Sequence, residues 1–556
     1  MADTYLHPGV YVKEISTLPP SVAEVSTAVP AFCGYTKKTD LKLKPTRIEA
    51  MLDYERLFGG PPEAVTGVTI KKWDPTTADL DMIVDASNTV TEEEVDTDDQ
   101  FDPDIPLLYY SLRMYFDNGG GPCYIVSLGG YDSKSVSLTD FKSGLDALKR
   151  VDEPTLIVMP DATRLGADDF VMACAASVDH CGEMTDRFAI LDVRPEQDAV
   201  KQADDFRKLS SNYLSYGAAY TPYLETSLVY SYVEANVKVA GPPAATFGGI
   251  TIVYSGKAGA PTAEILGGET SGDTKITATD STNPKLTITL NAKDRSASEV
   301  MTAWASLSDN DKKGFQIEKK DDGVRVPVTA AMTLTAQSLG LEDLKTSNTA
   351  LYNSTKTALA KQRVTLPPSG AIAGIYASVD RDRGVWKAPA NVAVASVIDL
   401  TQMFTDTEQG GLNIDPTSGK SINVIRSFTG RGILVWGART LAGNDNEWRY
   451  IPVRRLFITI EESTKKATAF AVFEPNDSTT WLKVKAMIES YLYGLWERGA
   501  LAGAKPEDAY FVNVGLGATM TTQDILEGRM IVEIGVAAVR PAEFIILRFT
   551  HKLQVA

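Results

Sequence analysis

Histidine and cysteine, two side chains that often carry acid–base or nucleophilic chemistry near neutral pH, are scarce in this sequence of 556 residues. Its three histidines are His7, His180 and His551, and the first and last lie close to the chain ends. A Ser/His/Asp or Cys/His device would need one of these imidazoles, and only His180 lies in a plausible interior segment. The histidine pattern therefore argues against such a device, and we expect no catalytic residues.

The cysteines do not have the spacing of a metal or redox site. There are four of them: Cys33, Cys123, Cys174 and Cys181. The interval between the last two matches neither a zinc ribbon nor a redox pair. We therefore expect reduced, mostly buried thiols, with no metal site and no cofactor.

An acidic run lies within residues 74–104, where the sequence TEEEVDTDDQFDPD crowds eight carboxylates together. A calcium-binding loop requires ligands at fixed offsets and a turn glycine, and this run lacks them, which favours a solvated loop. Two glycine clusters, Gly119–Gly121 and Gly515–Gly517, could suggest phosphate binding. The first precedes a strand instead of following one, and the second lacks the lysine of a phosphate-binding loop. Both clusters are therefore interpreted as turns.

Composition and charge limit the remaining classes of function. Hydrophobic residues make up 44% and charged residues 23%, as in ordinary globular proteins. The length predicts roughly two to four domains. The net charge of −17 argues against nucleic acid as a partner, because phosphate-binding surfaces are basic. Neither a run of about 20 apolar residues nor a secretory signal pattern occurs, so we expect synthesis in the cytoplasm without membrane insertion.

Strand and helix patterns alternate through the first part of the chain. Apolar spacing predicts helices over 47–58, 104–117, 140–150 and 166–180, and strands over 22–36, 123–128, 155–159 and 187–193. Such alternation is typical of an α/β layer with parallel strands. Between 232 and 345 the pattern changes to short β-rich runs punctuated by Gly, Ser, Asp, Asn and Pro. That change predicts an inserted β-rich domain.

The last third of the chain mixes strand and helix signals. Residues 431–438 and 451–460 have the composition of paired strands. Residues 478–498 carry the apolar stripe of a long amphipathic helix, and Lys483 and Lys485 stand off that stripe.

Both chain ends carry short β-rich runs that must find a sheet edge elsewhere, in their own chain or in another. Near the N-terminus the run is Val10, Tyr11 and Val12. Near the C-terminus Phe544, Ile546 and Arg548 alternate along one face, as a strand requires. An edge strand within the chain is the commoner fate of such a run, and β-augmentation between subunits is the alternative.

Seven blocks together resemble contractile tail sheath proteins in sequence and in order. They are HPGVYVKEI (7–15), FDNGGGPCYIV (116–126), GLDALKRVDEPTLIVMPD (144–161), RFAILDV (187–193), PPSGAIAGIYASVDRDRGVWKAPAN (367–391), NVIRSFTGRGILVWGARTLAGNDNEWRYIPVRRLFITIEES (423–463) and AVRPAEFIILRF (538–549). The most distinctive blocks lie within 367–463. The acidic run and the β-rich region 232–345 lie outside the resemblance.

The resemblance implies a structural protein without catalysis. Sheath subunits of this family form hexameric rings around an inner tube, stack helically, and contract to drive the tube through a target envelope. The implied partners are further copies of the chain, the inner tube protein, and baseplate and cap proteins. A single chain of this length resembles the sheaths of phage tails, tailocins and extracellular injection systems. Such phage-tail-like particles are assembled in the bacterial cytoplasm and can be released from the cell. A non-contractile baseplate or tail-terminator component is the alternative, ahead of an α/β enzyme.

The expected fold is a multidomain α/β and α+β chain, with a sheath-type core of mixed sheets flanked by helices. Its expected parts are an N-terminal strand arm (1–22), an α/β domain (23–231), an inserted β-rich outer domain (232–345), an α+β inner core (346–540) and a C-terminal strand arm (541–556). Because the family exchanges terminal strands between subunits, β-augmentation is the favoured fate of both arms. The helix at 478–498 resembles the one that faces the inner tube, which makes Lys483 and Lys485 candidate tube contacts.

Overall fold

The computed structural model describes most of the chain. The described residues are 22–63, 67–72, 81–85, 105–131, 136–195, 199–240, 243–254, 260–268, 273–279, 283–293, 295–335, 338–347 and 349–546. The predicted strand at Val10–Val12, the acidic run and Arg548 lie outside the described residues.

The strands of the described part are numbered in chain order. They are β1 (Pro30–Thr36), β2 (Thr46–Ile48), β3 (Gly67–Lys72), β4 (Asp81–Asp85), β5 (Cys123–Gly130), β6 (Leu156–Val158), β7 (Phe188–Asp192), β8 (Gly217–Thr221), β9 (Leu224–Val229), β10 (Lys238–Ala240), β11 (Ala244–Phe247), β12 (Ile250–Tyr254), β13 (Thr262–Gly267), β14 (Lys275–Thr279), β15 (Lys285–Leu290), β16 (Phe315–Lys319), β17 (Thr329–Thr333), β18 (Ser338–Gly340), β19 (Arg363–Leu366), β20 (Val392–Ala393), β21 (Val397–Leu400), β22 (Ile422–Phe428), β23 (Gly432–Val435), β24 (Tyr510–Val514) and β25 (Val532–Val536).

The α-helices are numbered in the same way. They are α1 (Met51–Phe58), α2 (Leu108–Asp117), α3 (Leu138–Leu148), α4 (Ala167–Met184), α5 (Ala199–Arg207), α6 (Ala297–Ala305), α7 (Asp309–Lys312), α8 (Leu341–Ser347), α9 (Thr349–Lys361), α10 (Ser369–Arg383), α11 (Asp406–Asn413), α12 (Ile451–Ala467), α13 (Ser478–Glu497), α14 (Pro506–Ala509) and α15 (Thr522–Leu526).

The chain divides into two compact units. The first comprises Met1–Gly60, Pro106–Leu224 and Leu366–Ala556, and the second comprises Pro61–Ile105 and Glu225–Thr365. The second unit is therefore wider than the β-rich insert expected at 232–345. The reason lies in a distant pairing, because β3 runs parallel to β10 although the two strands are far apart in sequence.

The first unit is built on a nine-stranded sheet with the order β2-β5-β1-β6-β7-β8-β22-β23-β20. Its central strands, from β5 to β22, are paired in parallel. Its edges are antiparallel, through β2 with β5 and through β22, β23 and β20. Strands β1, β6 and β7 are buried along their whole length, as parallel strands covered by helices on both faces must be. The predicted α/β layer with parallel strands is confirmed.

Helix α10 approaches helix α2 so closely that side chains cannot fit between them at two points. A Cβ atom at Gly370 would lie 2.5 Å from the carbonyl oxygen of Ser111, and one at Gly374 would lie 2.4 Å from that of Tyr115. Residues four apart share one face of a helix, so the two glycines form a single seam. This seam gives the block 367–391 a packing role.

The second unit contains three sheets, with the orders β18-β10-β3-β4, β11-β12-β16 and β14-β15-β13-β17. Strands β12 and β15 alternate between buried and partly exposed residues, so each presents one apolar face to a core. Helix α6 packs Val300 and Trp304 against that core. The β-rich character expected from the sequence is present here.

Two local predictions were wrong. Residues 451–460, predicted as a strand, begin helix α12, in which nearly every side chain up to Ile460 is buried. A segment buried all round shows no helical period, and Pro452 is favourable only because it sits in the first helical turn, where its missing N–H needs no partner. The helix predicted over 47–58 starts later, since Thr46–Ile48 pairs with β5 instead.

Candidate functional site

The C-terminal segment leaves the body of the first unit at a charged anchor, Glu543. Arg439 donates from Nε to Oε1 at 2.9 Å and from Nη2 to Oε2 at 2.6 Å. Asn413 donates to Oε1 at 2.7 Å, and the Tyr450 hydroxyl donates to Oε2 at 3.1 Å. Burial alone would raise the pKa of Glu543, but the hydrogen bonds from Arg439 and Asn413 and the Arg439 charge hold it below its usual value. We call these four residues the C-terminal anchor.

The anchor is positioned by the nine-stranded sheet. Asn423 on β22 donates to the carbonyl oxygen of Arg439 at 2.8 Å and accepts from its N–H at 2.8 Å. The Arg439 side chain is almost completely buried, and an ion pair with a buried guanidinium is costly to break because it leaves an unpaired charge. The chain direction at Glu543 is therefore rigidly defined.

Immediately after the anchor the chain becomes apolar and exposed. Phe544, Ile545 and Ile546 have exposed fractions of 66%, 80% and 79%. Residues 541–546 form no strand with any other described part of the chain. Three consecutive exposed apolar residues are unfavourable in an isolated protein and indicate a surface that a partner covers.

Residues 24–27, near the N-terminal end of the described chain, are also held by side-chain contacts. Glu24 forms an ion pair with Arg498 at 2.6 Å, although both side chains are largely exposed. Deeper in the protein, Ser463 accepts from the N–H of Val25 at 3.2 Å, and the carbonyl oxygen of Thr27 accepts from Arg455 at 2.9 Å.

Arg455 belongs to a buried ion pair that connects α12 with α10. Its Nη1 donates to Asp380 Oδ1 at 2.9 Å, and the two side chains are 3% and 4% exposed. Its guanidinium also lies 4.6 Å from the ring centroid of Tyr376, whose hydroxyl is 2.8 Å from that of Tyr220. The segment before β1 therefore contacts the same helices that form the core.

Strands β24 and β25 form a two-stranded antiparallel sheet next to α13. A groove of about 890 Å³ runs beside it and is lined by β25, α12 and α13. Apolar contacts come from Val532, Ile534 and Val536 of β25, with Ile460 and Ile488 opposite. A two-stranded sheet is marginal by itself, and an apolar groove along one of its strands is the environment that an added strand requires.

Helix α13 confirms the predicted amphipathic helix and nearly its predicted bounds. Val484, Met487, Ile488, Tyr491, Leu492 and Leu495 are buried along one side. Lys483 is exposed on the opposite side, and Lys485 lies 3.6 Å from Glu489, one turn further along. The exposed side also carries Leu482 and Tyr493, so it is mixed in character and not simply basic.

The carboxyl edge of the parallel sheet, where α/β proteins commonly bind ligands, is occupied by helix ends. Asp161, just after β6, accepts from the N–H groups of Tyr35 at 2.7 Å and Leu107 at 2.5 Å, at the start of α2. Asp192, at the end of β7, accepts from the N–H and hydroxyl of Ser369 at 2.7 and 2.6 Å, at the start of α10. Both carboxylates cap helices.

The candidate reactive groups found in the sequence are inert in the described part of the chain. Burial lowers the pKa of His180 to about 4, with a further contribution from the charge of Arg187, whose guanidinium lies 3.2 Å from its Nε2. All four cysteines are free and buried, and burial raises the pKa of each thiol. Within the described residues there is no cluster of His, Cys, Asp or Glu suited to a metal ion.

The same part of the chain contains no helix long and apolar enough to cross a membrane.

Two family models match adjacent parts of the chain. The model of the phage tail sheath protein central domain matches residues 285–441, and that of the phage tail sheath C-terminal domain matches residues 443–552. The tail sheath protein of Vibrio phage KVP40 is 26% identical over 136 residues, which is 24% of this chain and 20% of that protein. The tail sheath protein of Enterobacteria phage T4 is 24% identical over 129 residues, covering 23% and 19%. The matched segment thus spans about a fifth of each relative.

Solved structures are similar over nearly the whole chain. The contracted sheath complex of PVC, an extracellular contractile injection system, is 27% identical, with 99% of both chains covered and a TM-score of 0.55. The contracted helical sheath of the anti-feeding prophage is 29% identical, covering 99% of this chain and 100% of that one, with a TM-score of 0.53.

The mixed α/β core, the anchored segments and the two-stranded sheet belong to a chain that the comparisons place among structural sheath proteins. More particularly, the chain carries regions that match the central and C-terminal domains of the contractile tail sheath family, which is structural and not enzymatic.

Sequence reasoning missed the anchors at both ends. Glu543 lies in the block 538–549, and its partner Arg439 lies in the block 423–463. Asp380 lies in the block 367–391, and its partner Arg455 lies in 423–463. A charged residue in such a block is normally interpreted as solvated, and only the fold brings these partners together across long sequence separations.

Proposed function

We propose that this chain is a sheath subunit that polymerises as helically stacked hexameric rings around an inner tube. In this proposal the rings contract and drive the tube through a target envelope. The observation that carries the proposal is the similarity, over nearly the full length, to sheath chains of two contractile injection systems, both in the contracted state. Baseplate and cap proteins would close the two ends of the polymer.

The subunits are joined by strand exchange between the chain ends and the sheet of a neighbour. The exposed run Phe544–Ile546 supports this, since its apolar side chains are left in contact with water in the isolated subunit. The groove beside β25 offers an apolar surface next to a strand. Main-chain hydrogen bonds then supply affinity, and alternating side chains supply register. Val10, Tyr11 and Val12 would take the equivalent role at the other end.

Strand exchange suits a machine that contracts. Contraction requires two packings of the same rigid subunit, with the extended one kinetically trapped. Contacts between successive rings must be heterologous, because such contacts generate open helical arrays and not closed rings. Arms that start at rigid anchors keep neighbours connected while their bodies rotate.

Helix α13 is the proposed contact with the inner tube. Lys483 is exposed and would be accessible to an acidic surface. The Lys485 ammonium lies 3.6 Å from the Glu489 carboxylate, which partly neutralises its charge. Leu482 and Tyr493 on the same side would add apolar contact. The two lysines therefore contribute unequally, with Lys483 the stronger candidate.

A non-contractile baseplate or tail-terminator role is the second candidate. It is favoured by one observation: a chain from the anti-feeding prophage baseplate is 28% identical, with 99% of this chain and 100% of that one covered and a TM-score of 0.53. A terminal component would form single rings, not extended cylinders.

Negative-stain electron microscopy of the purified chain, alone and co-expressed with its tube protein, separates the two candidates. A sheath subunit should yield long hollow cylinders with helical striations. Single rings in every condition would instead support the terminal role, and monomers that turn over a substrate would contradict both.

A further inference from the structure

Phe473 combines two unfavourable features in the short loop between α12 and α13. Its backbone has a φ of 69°, in the left-handed region that residues with a bulky side chain rarely adopt. Its side chain is also fully exposed, and that of the preceding Val472 is 63% exposed. A strained conformation that presents an aromatic ring to solvent indicates a functional role, because nothing in the isolated subunit rewards it.

The surrounding contacts hold this loop in place. The N–H of Glu474 donates to the carbonyl oxygen of Ala471 at 3.2 Å. Asn476 donates from Nδ2 to the carbonyl oxygen of Arg529 at 3.0 Å and accepts from Trp481 Nε1 at 2.6 Å. The loop is therefore fixed to both α13 and the segment before β25, and the outward position of the ring is a defined feature.

The ring lies at the groove beside β25. Phe473 and Val472 line this groove together with the apolar side chains of β25. A strand placed along β25 would thus lie in the same groove that Phe473 lines. Aromatic side chains in such positions often dominate the energetics of an interface, since they bury a large area with few rotatable bonds.

Charge indicates which chain end occupies the groove. Its ionisable lining residues are Glu461, Glu474 and Lys465, a net charge of one negative. The C-terminal segment 547–556 carries Arg548 and Lys552 and no acidic side chain, whereas residues 1–21 carry Asp3, Lys13 and Glu14. The C-terminal arm is therefore the complementary occupant.

We propose that Phe473 is an aromatic clamp that closes over the C-terminal arm of a second copy lying along β25. This inference rests on the proposed sheath function and adds the residue that retains the arm. The left-handed backbone at Phe473 holds the ring exposed at the groove, where the arm would contact it. Its cost is then offset by the contact with the arm of the neighbour.

Two substitutions separate the clamp from a role in folding. Phe473→Gly removes the ring and adopts a positive φ without strain, so the isolated subunit should unfold at the same temperature as the wild type or a higher one. Phe473→Tyr keeps the ring and serves as the matched control.

Binding of synthetic peptides to the unassembled full-length chain, followed by fluorescence anisotropy, gives the decisive comparison. A peptide of residues 541–556 should bind Phe473→Gly at least tenfold more weakly than it binds the wild type and Phe473→Tyr. A peptide of residues 1–16 should show no such difference. Equal affinity of the 541–556 peptide for Phe473→Gly and wild type would overturn the clamp. Wild-type cylinders seen by microscopy would leave the sheath proposal standing in that case, so the two failures are distinguishable.

Discussion

At the scale of single residues, the packing of helix α10 depends on residues in environments that are normally unfavourable for them: glycine inside a helix and a carboxylate in the core. Gly370 and Gly374 lie within helix α10, where glycine is normally unfavourable, because the backbone of α2 passes within van der Waals distance. The Asp192 carboxylate is buried, and the hydrogen bonds that oppose the effect of burial on its pKa come from Ser369. Ser369 is the first residue of helix α10. Both cases fix α10 against its neighbours.

Replacement of Gly374 by Ala should destabilise the first unit by about 1–3 kcal/mol, because the added methyl group forces α10 away from α2. Gly494, in the last turn of α13, is a control, since a Cβ atom there would meet nothing within 4 Å. Gly494→Ala should instead stabilise by about 0.5–1 kcal/mol. Urea midpoints of the two variants check this, and a stabilised Gly374→Ala would contradict the seam.

Asp192 should make stability depend on pH. Burial raises its pKa to about 7, against the lowering effect of the hydrogen bonds from Ser369. A raised pKa means that the folded state holds a proton which the unfolded state has lost, so stability falls as pH rises from about 4 to about 7. Asp192→Asn keeps a group able to bond Ser369 but cannot titrate. The variant should show a flatter dependence of the urea midpoint on pH in this window, and identical slopes would refute the assignment.

At the scale of elements, the C-terminal anchor fixes the chain at Glu543 and leaves the next three residues exposed. Five hydrogen bonds converge on the Glu543 carboxylate, and the exposed apolar run begins at the next residue. The anchor residues thus hold Glu543 in place, and Phe544–Ile546 make no strand pairing within the described part of the chain. Anchoring should therefore affect where the arm reaches more than whether the subunit folds.

Glu543→Gln should leave the subunit folded and reduce the yield of ordered cylinders several-fold. Gln is uncharged and has one acceptor oxygen, so Arg439 Nη2 and the Tyr450 hydroxyl, which now donate to Oε2, lose their acceptor. Glu49→Gln, at an exposed surface ion pair, is the control and should assemble normally. Circular dichroism and negative-stain microscopy measure folding and assembly separately. Normal cylinders from Glu543→Gln would show that the anchor does not direct the arm.

The elements themselves were predictable where the apolar pattern has a clear period. Helices α3, α4 and α13 follow from spacing and turn signals because each has one solvated face, and the buried strands β5, β6 and β7 follow from short apolar runs. Helix α12 did not, since burial on all sides removes the periodic signal. The anchors could not be inferred either, because Glu543 and Arg439 are 104 residues apart and meet only through the sheet. Phe473 has no sequence signal, because its significance lies in its φ and exposure.

At the scale of the whole molecule, two compact units are formed by segments that interleave along the chain. The first unit contains the parallel sheet, the C-terminal anchor, the contacts of residues 24–27, the groove and α13. Every described part that is assigned to assembly therefore lies in this unit. The second unit, built on short β-strands, has none of these parts in its described residues. An outer decoration is the role proposed for it, since a bulky unit would obstruct a surface facing the tube.

Removal of either arm should abolish ordered polymers and leave a folded subunit. Deletion of residues 1–18, or of residues 544–556 with Glu543 retained, removes the proposed exchanged strand and spares the anchors. Sedimentation and microscopy should then show unassembled protein with an unchanged circular dichroism spectrum. Cylinders of normal length from either truncated chain would contradict strand exchange.

The central claim is a polymer whose subunits exchange strands and contract around a tube, and cryo-electron microscopy of cylinders assembled with the tube protein tests it most directly. The account predicts two helical forms, one extended and one contracted, built from subunits with the same fold. In both forms, residues 544–556 should be traced as a strand beside β25 of a neighbouring copy, beneath Phe473. A map in which the C-terminal segment pairs within its own chain, or in which a single packing persists under every condition, would contradict the account.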